Sequence, residues 1–250
     1  MQPTIDLNCD LGEGIGDDAA IMPSITSANI ACGAHAGNLE TMIEAIELAA
    51  KKKVAVGAHP GFFDLENFGR SERPVTSAEA SRLVLMQVEQ FYEAAGPAMR
   101  HVKLHGALYN QVSRDVALAE AVASDLSRLW PDLAVFALAG SVFARAARER
   151  GLRVAEEAFV DRRYRSDGSL VPRGETGAVI AEVDAVVEQA VRLAREGRVL
   201  AVDGAEVKVR ADTLCLHGDH PHAAPLAQRL RAELKRAGFR VRAFGEPAGR

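Results

Sequence analysis

Short apolar runs alternate with longer segments whose apolar residues recur at helical spacing. The runs Thr4–Asn8, Ala28–Cys32, Val54–Ala58, Val102–His105, Ala134–Leu138, Val154–Glu157 and Thr213–Leu216 read as strands. Leu39–Lys52, Ser77–Ala95, Asp115–Leu129, Ser141–Arg150, Ala178–Glu196 and Ala223–Ala237 read as helices; in Ala178–Glu196, for example, Val179, Val183, Val186, Val187, Ala190 and Leu193 fall on one face. Ser77 reads as an N-cap, with Ala80 at the position where a capping box needs a longer acceptor, so no box is expected. Gly96, Gly151, Gly197 and Gly238 each follow a helix and supply its stop. Strand–helix alternation of this kind gives parallel strands with crossover helices. Seven strands suit a closed barrel, with an open doubly wound sheet as the competing layout. VLAV, Asp203-Gly204 and AEVKV form a hairpin signal at 199–209, an excursion before the last strand. With no repeat or linker, residues 1–250 read as a single domain.

Polar residues inside the strands change this picture. Asp6, Asn8 and Asp10 alternate with Ile5, Leu7 and Cys9; His101, Lys103 and His105 alternate with Val102 and Leu104; Cys215, His217 and Asp219 share one parity. Every second side chain of a strand points the same way. Each strand therefore sends a polar row to one face and an apolar row to the helices. Buried polar groups are costly unless they pair or work together, so three such rows predict a site at the C-terminal mouth of the barrel. The half-exposed strands of an open sheet give the same alternation.

The first strand runs into the loop Asp10–Asp18, DLGEGIGDD, whose glycines let backbone N–H groups approach an anion while Glu13, Asp17 and Asp18 repel bare phosphate; Mg²⁺ reconciles the two. Neither GxGxxG nor GxxxxGK[ST] is present. His35 and His59 follow the second and third strands, and with Asp10 they make a carboxylate–imidazole set able to hold a divalent metal. Two long loops, Pro60–Pro74 and Phe159–Gly177, carry Arg70, Arg73, Asp161, Arg162, Arg165 and Arg173 and have the length of lids or binding loops.

Composition narrows the classes. Apolar residues make up 48% of 250 residues, enough for a large core, and the net charge of −4 gives no general attraction to nucleic acid. The opening MQPTIDLNCD lacks the basic start and apolar stretch of a secretion signal, and no apolar run approaches the ~20 residues of a membrane span. A cytoplasmic protein is expected. Cys9, Cys32 and Cys215 form no CxxC pair and read as small buried hydrophobes rather than a disulfide framework.

The segments IDLNCDLGEGIG (5–16), DDAAIMPSITSANIACGAHAG (17–37), VGAHPGF (56–62), FGRSE (68–72), VKLHGALYN (102–110), DRRYRSDGSLVPR (161–173) and LCLHGDHPHA (214–223) resemble, colinearly and over nearly the whole chain, the family of 5-oxoprolinase A subunits, formerly the LamB/YcsF family. The resemblance implies a distorted seven-stranded β/α barrel similar to glycoside hydrolases and polysaccharide deacetylases. It also implies one component of an ATP-dependent enzyme, with two others of B and C type, that converts 5-oxo-L-proline to L-glutamate. The family pattern falls on Asn8, Asp10, Glu13, Asn29, His35, His59, Arg70, Lys103, His105, Asp161, Arg173 and Asp219. Asn38 stands where the family usually has Asp, which weakens a metal role there, and the loop after Gly14 is shorter than usual.

On this reading ATP phosphorylates the lactam oxygen and activated water opens the ring. Asp10 or His59 is then the base, Glu13 holds Mg²⁺, Lys103 neutralises phosphoryl charge, and Arg70 or Arg173 grips the substrate carboxylate. Two alternatives stay open: a stand-alone metal-dependent hydrolase or deacetylase using Asp10, His35 and His59, and a non-catalytic lactam-binding or scaffold subunit.

Overall fold

The computed structural model describes residues 2–220 and 222–246. Met1, Pro221 and 247–250, which the one-domain reading and the LCLHGDHPHA segment include, lie outside the described residues. The elements run β1 (Thr4–Leu11), α1 (Asp18–Ile21), β2 (Ser27–Ala31), α2 (Leu39–Lys52), β3 (Ala55–His59), α3 (Ser77–Ala95), β4 (Met99–Lys103), α4 (Gly106–Arg114), α5 (Val116–Leu129), β5 (Ala134–Leu138), α6 (Val142–Glu149), β6 (Arg153–Phe159), α7 (Val183–Glu196), β7 (Arg198–Leu200), β8 (Glu206–Lys208), β9 (Thr213–His217), α8 (Ala223–Arg236) and β10 (Arg240–Val241).

β1, β2, β3, β4, β5, β6 and β9 pair in that order, all parallel, and β9 returns to β1 with Asp6 opposite Thr213 and Asp10 opposite His217. The sheet is thus a closed seven-stranded barrel, and the open-sheet alternative is excluded. β7 and β8 form the expected antiparallel hairpin, and two-residue β10 adds to the start of β1.

Strand parity works as the alternation requires. Ile5, Leu7, Cys9, Leu11, Val102 and Leu104 belong to the large core between barrel and helices. Inside the barrel, Ala134, Phe136 and Ala155 form a separate small cluster with Phe244 against it. His101 stacks on Phe136 at 4.2 Å. A Cβ at Gly57 would lie 2.3 Å from the His101 ring, so β3 and β4 close around this imidazole only because residue 57 has no side chain.

Helix faces follow from spacing. α2 buries Met42, Ala45 and Ala49, and α3 buries Ala80, Val84, Gln87, Val88 and Phe91. Four expectations need correction. The cap of α3 is Thr76, one residue earlier than expected, which puts Glu79 rather than Ala80 at the third position and completes a capping box. β4 starts at Met99 and ends at Lys103, because His105 caps a helix, α4, that follows at once. β1 continues through its polar row to Leu11. The last long helix before the hairpin starts at Val183, since Val179 bridges to Arg162. Asn38 caps α2, accepting from the Thr41 N–H, so its amide serves the helix.

Asp6 sits low in the barrel and accepts hydrogen bonds from Thr26 Oγ1 (2.6 Å), Ser27 Oγ (2.8 Å) and the Thr213 hydroxyl. Burial pushes its carboxyl up to about 6, beyond what these hydroxyls offset. An acid whose folded pKa is raised adds stability below its unfolded pKa near 3.8 and loses it as pH rises through about 6. Asp6→Asn, which does not titrate, should therefore gain on the wild type between pH 4 and 7, by about 3 kcal/mol for a shift of that size. Urea unfolding of both proteins across this range measures it; parallel pH profiles would refute the assignment.

Candidate active site

The polar rows meet at the C-terminal end of the barrel in layers. Lowest is an amide layer. Asn29 Nδ2 donates to Asn8 Oδ1 (2.7 Å) and Asp10 Oδ1 (2.8 Å), and His101 Nε2 lies 2.8 Å from Asn29 Oδ1, the distance of a donated bond. Burial lowers the His101 pKa to about 3, so His101 is neutral.

Above it lies one buried ammonium. Lys103 Nζ is 2.8 Å from Asp10 Oδ1, 3.0 Å from Glu157 Oε1 and 3.0 Å from Cys215 Sγ. Glu157 also accepts from Asn8 Nδ2 (3.0 Å) and the Tyr109 hydroxyl (2.8 Å). Burial alone would lower the Lys103 pKa, but Asp10, Cys215 and Glu157 outweigh it and hold the ammonium protonated well above its usual range. Against its own burial, Asp10 is held well below the carboxylate range by His59 and Lys103. Burial pushes the Cys215 thiol well up.

The next layer is imidazole. His59 Nδ1 is 2.8 Å from the Lys103 carbonyl, and His59 Nε2 is 3.3 Å from Asp10 Oδ2 and 2.9 Å from His105 Nδ1. His105 Nε2 is 2.9 Å from the Phe68 carbonyl. His35 stacks on His105 at 3.7 Å and places Nε2 3.3 Å from Glu13 Oε1. The loop after β3 is tied down by Gln87, whose amide exchanges two hydrogen bonds with the backbone of Gly61. Gly69 has φ +65, and a Cβ there would lie 2.7 Å from His35 and 3.0 Å from the His105 ring, so the loop crosses this layer on bare backbone. Burial holds His35 and His105 well below the usual histidine range, and burial with the Asp10 charge pushes Glu13 well above the carboxylate range.

A cavity of about 750 Å³ opens over these layers, within the size range of ligand sites. Asp10, His59, Lys103, His105, Arg70 and Arg173 line it, with Tyr109, Phe159, Arg162 and His217. Arg70 Nη2 and Arg173 Nη2 both donate to Asp219, at 2.7 and 2.6 Å. Asp161 holds His217 at 2.9 Å, and His217 lowers the Asp161 pKa to about 2 despite burial.

The other expected residues stand behind the wall. Asn8 and Asn29 lie beneath the ammonium, Asp161 behind His217, and Glu13 and His35 behind His105. The Asp10–His35–His59 set is divided: His35 and His59 group with Glu13 and His105, while Asp10 groups with Cys215 and His217. Glu157 and Tyr109 were not singled out for chemistry, and Arg162 only as one of several loop charges. Glu157 follows Glu156 in the same strand and has no polar neighbour at its own parity, so the alternation carried no signal for it. Tyr109 lies on α4, which the apolar pattern did not reveal.

Removing the ammonium should expose the energetics of this cluster. Lys103→Met leaves Asp10 and Glu157 buried without a countercharge and should cost about 3–5 kcal/mol in urea unfolding. Adding Glu157→Gln should recover part of the loss. A cost below about 1 kcal/mol would show that the three charges do not act as a unit.

Among proteins of known sequence, the 5-oxoprolinase A subunit of Heliobacterium modesticaldum is 47% identical over 247 residues, 96% of this chain and 97% of that protein. The crystal structure of a lactam utilization protein from Thermus thermophilus superposes with a TM-score of 0.88 at 43% identity, over 96% of this chain and all of that one. A peptidoglycan deacetylase of Bacillus subtilis (TM-score 0.52, 12% identity, 97% and 88% of the two chains) shares the fold alone. Residues 5–249 match the LamB/YcsF family. The chain belongs to the LamB/YcsF family.

Proposed function

We propose that this chain is the A component of a 5-oxoprolinase and opens the lactam ring of 5-oxo-L-proline to give L-glutamate, with ATP spent on activating the ring. The observation that carries this reading is the polarised cavity: an ionised carboxylate, Asp10, beside His59 at the floor, and guanidinium groups of Arg70, Arg162 and Arg173 on the wall. The names borne by the relatives at 47% and 43% identity support the same substrate class.

An unactivated amide reacts slowly with water. Transfer of the ATP terminal phosphoryl group to the lactam oxygen releases ADP and makes the ring carbon electrophilic. Water adds at that carbon, the tetrahedral adduct expels the ring nitrogen, which takes up a proton, and a second water cleaves the resulting acyl phosphate to glutamate and phosphate. Asp10 or His59 takes the proton of the first water; both line the cavity and lie 3.3 Å apart. Lys103 is engaged by Asp10, Glu157 and Cys215, so it holds Asp10 ionised and in place rather than meeting a phosphoryl group. Arg70 or Arg173 takes the substrate carboxylate, and the arginine wall takes phosphoryl charge, with Mg²⁺ accompanying ATP. Two further subunits, of B and C type, complete the enzyme.

The test is formation of glutamate and ADP from 5-oxoproline and ATP. The chain alone should give little product, and the chain with B- and C-type partners should turn over steadily. In that complex Asp10→Asn should lower kcat by about 10²–10⁴-fold, while Arg173→Met should mainly raise KM for 5-oxoproline. Robust turnover by the chain alone would overturn the proposed dependence on partners. Unchanged turnover by Asp10→Asn would favour a binding or scaffold role.

A further inference from the structure

Two imidazole nitrogens of the histidine layer face each other in an arrangement that a pair of neutral histidines does not satisfy. His59 Nδ1 is 2.8 Å from the Lys103 carbonyl, and a carbonyl only accepts, so Nδ1 carries the proton. His105 Nε2 is 2.9 Å from the Phe68 carbonyl and is protonated for the same reason. The remaining nitrogens, His59 Nε2 and His105 Nδ1, are then both bare lone pairs, yet they stand 2.9 Å apart. Something positive has to lie between or beside them.

The surroundings match a metal cation. Histidines that bind metals donate their other N–H to a backbone carbonyl or carboxylate, which fixes the tautomer; both rings here do so. Tetrahedral ligands at ~2.1 Å stand about 3.4 Å apart, so an ion held here draws the two rings about half an ångström further apart than the observed 2.9 Å. Two carboxylates complete the set: Glu13 Oε1 is 3.8 Å from His105 Nδ1, and Asp10 Oδ2 is 3.3 Å from His59 Nε2. His35 has one nitrogen, Nδ1, buried with no partner among the described residues, and the other 3.3 Å from Glu13 Oε1. A ligating histidine needs a partner for its second N–H, so His35 positions Glu13 by donating from Nε2 and does not itself ligate. The neighbouring donor group of Asp10, Cys215 and His217 is closed to a cation, because the Lys103 ammonium already sits 2.8 Å from Asp10 and 3.0 Å from Cys215.

The geometry points to a site for one borderline transition-metal dication, of the Zn²⁺ or Co²⁺ kind, held by His59 Nε2, His105 Nδ1 and Glu13 with Asp10 beside it. Mixed imidazole–carboxylate donors select such ions over Mg²⁺ and Ca²⁺. His59, His105 and Asp10 line the cavity, so an ion here would serve as a Lewis acid toward a ligand carbonyl. With Nδ1 on a carbonyl and Nε2 on the ion, His59 has no free lone pair, so in the metal-loaded chain Asp10 is the base of the two proposed. The inference does not depend on which carbonyl compound the chain acts upon, and its test uses no turnover.

Full-length chain is stripped with chelator, its fold checked by circular dichroism, and then titrated with Co²⁺ by visible absorption and with Zn²⁺ by calorimetry. We expect one ion per chain, displaced by Zn²⁺ but not by excess Mg²⁺. In the Co²⁺ protein, the exchangeable ring protons of two histidines should show large paramagnetic NMR shifts. His105→Gln and Glu13→Gln should each weaken binding about tenfold or more, and Cys215→Ser should leave it unchanged. Folded wild-type chain that takes up no cation at about 1 mM would overturn the site and leave a proton shared between the two imidazoles. Binding that survives His105→Gln but is lost in Cys215→Ser would place the ion elsewhere and also overturn it.

Discussion

The mouth of this barrel depends on one ammonium shared by two carboxylates. Lys103 comes from β4, Asp10 from β1 and Glu157 from β6, and all three are almost wholly buried. Taking such charges out of water costs several kcal/mol each, and only close mutual contact with further hydrogen bonds offsets it. The further bonds are present: Asn29 on Asp10, Asn8 and Tyr109 on Glu157. Fixing Lys103 also fixes its carbonyl, which orients His59. The same cluster therefore sets the charge of Asp10 and the tautomer of the histidine beside it.

The interior is ordered by polarity along the barrel axis. Asp6 with three hydroxyls lies low on β1, the Phe136 cluster fills space across from it, and amides, charges and imidazoles follow toward the mouth. Each step of two residues along β1, from Asp6 to Asn8 to Asp10, advances one layer, because only every second side chain points inward. Layering of this kind lets most polar groups pair with neighbours at or next to their own level and presents Asp10 to the cavity.

Much of this was legible in the sequence for a simple reason. A strand that carries Asp, Asn or Lys at every second position has one environment on each face, and a closed barrel supplies only two, the inside and the helix layer. That argument placed Asp10, Lys103 and the apolar rows correctly. It failed where one residue stood alone. Glu157 has no polar neighbour at its parity, since Ala155 and Phe159 flank it, so nothing distinguished it from a strand-end charge. α4 escaped because its nine residues follow a strand without a connecting loop, and the pattern of a short apolar run does not separate the two. Thr76 was hidden by Ser77, an equally good cap, until Glu79 decided between them. The sequence singles out Glu13 and His35, but their position behind His105 depends on a loop crossing that spacing does not encode.

The closure of the barrel has a kinetic side. β1 is completed by β9, and the Thr213 hydroxyl that bonds Asp6 comes 207 residues later in the chain. Contacts of such sequence separation carry a loop-closure cost that local ones avoid, and they slow folding. During synthesis β1 to β6 emerge before β9, and until β9 arrives both β1 and β6 lack a neighbouring strand. Only when β9 inserts beside β1 and β6 does the barrel close and Cys215 come to lie against Lys103. The final barrel strand to leave the ribosome tunnel is thus the one that joins three side chains, each charged in water, into a buried cluster, and a chain cut short before residue 213 lacks both Cys215 and the closure that buries them.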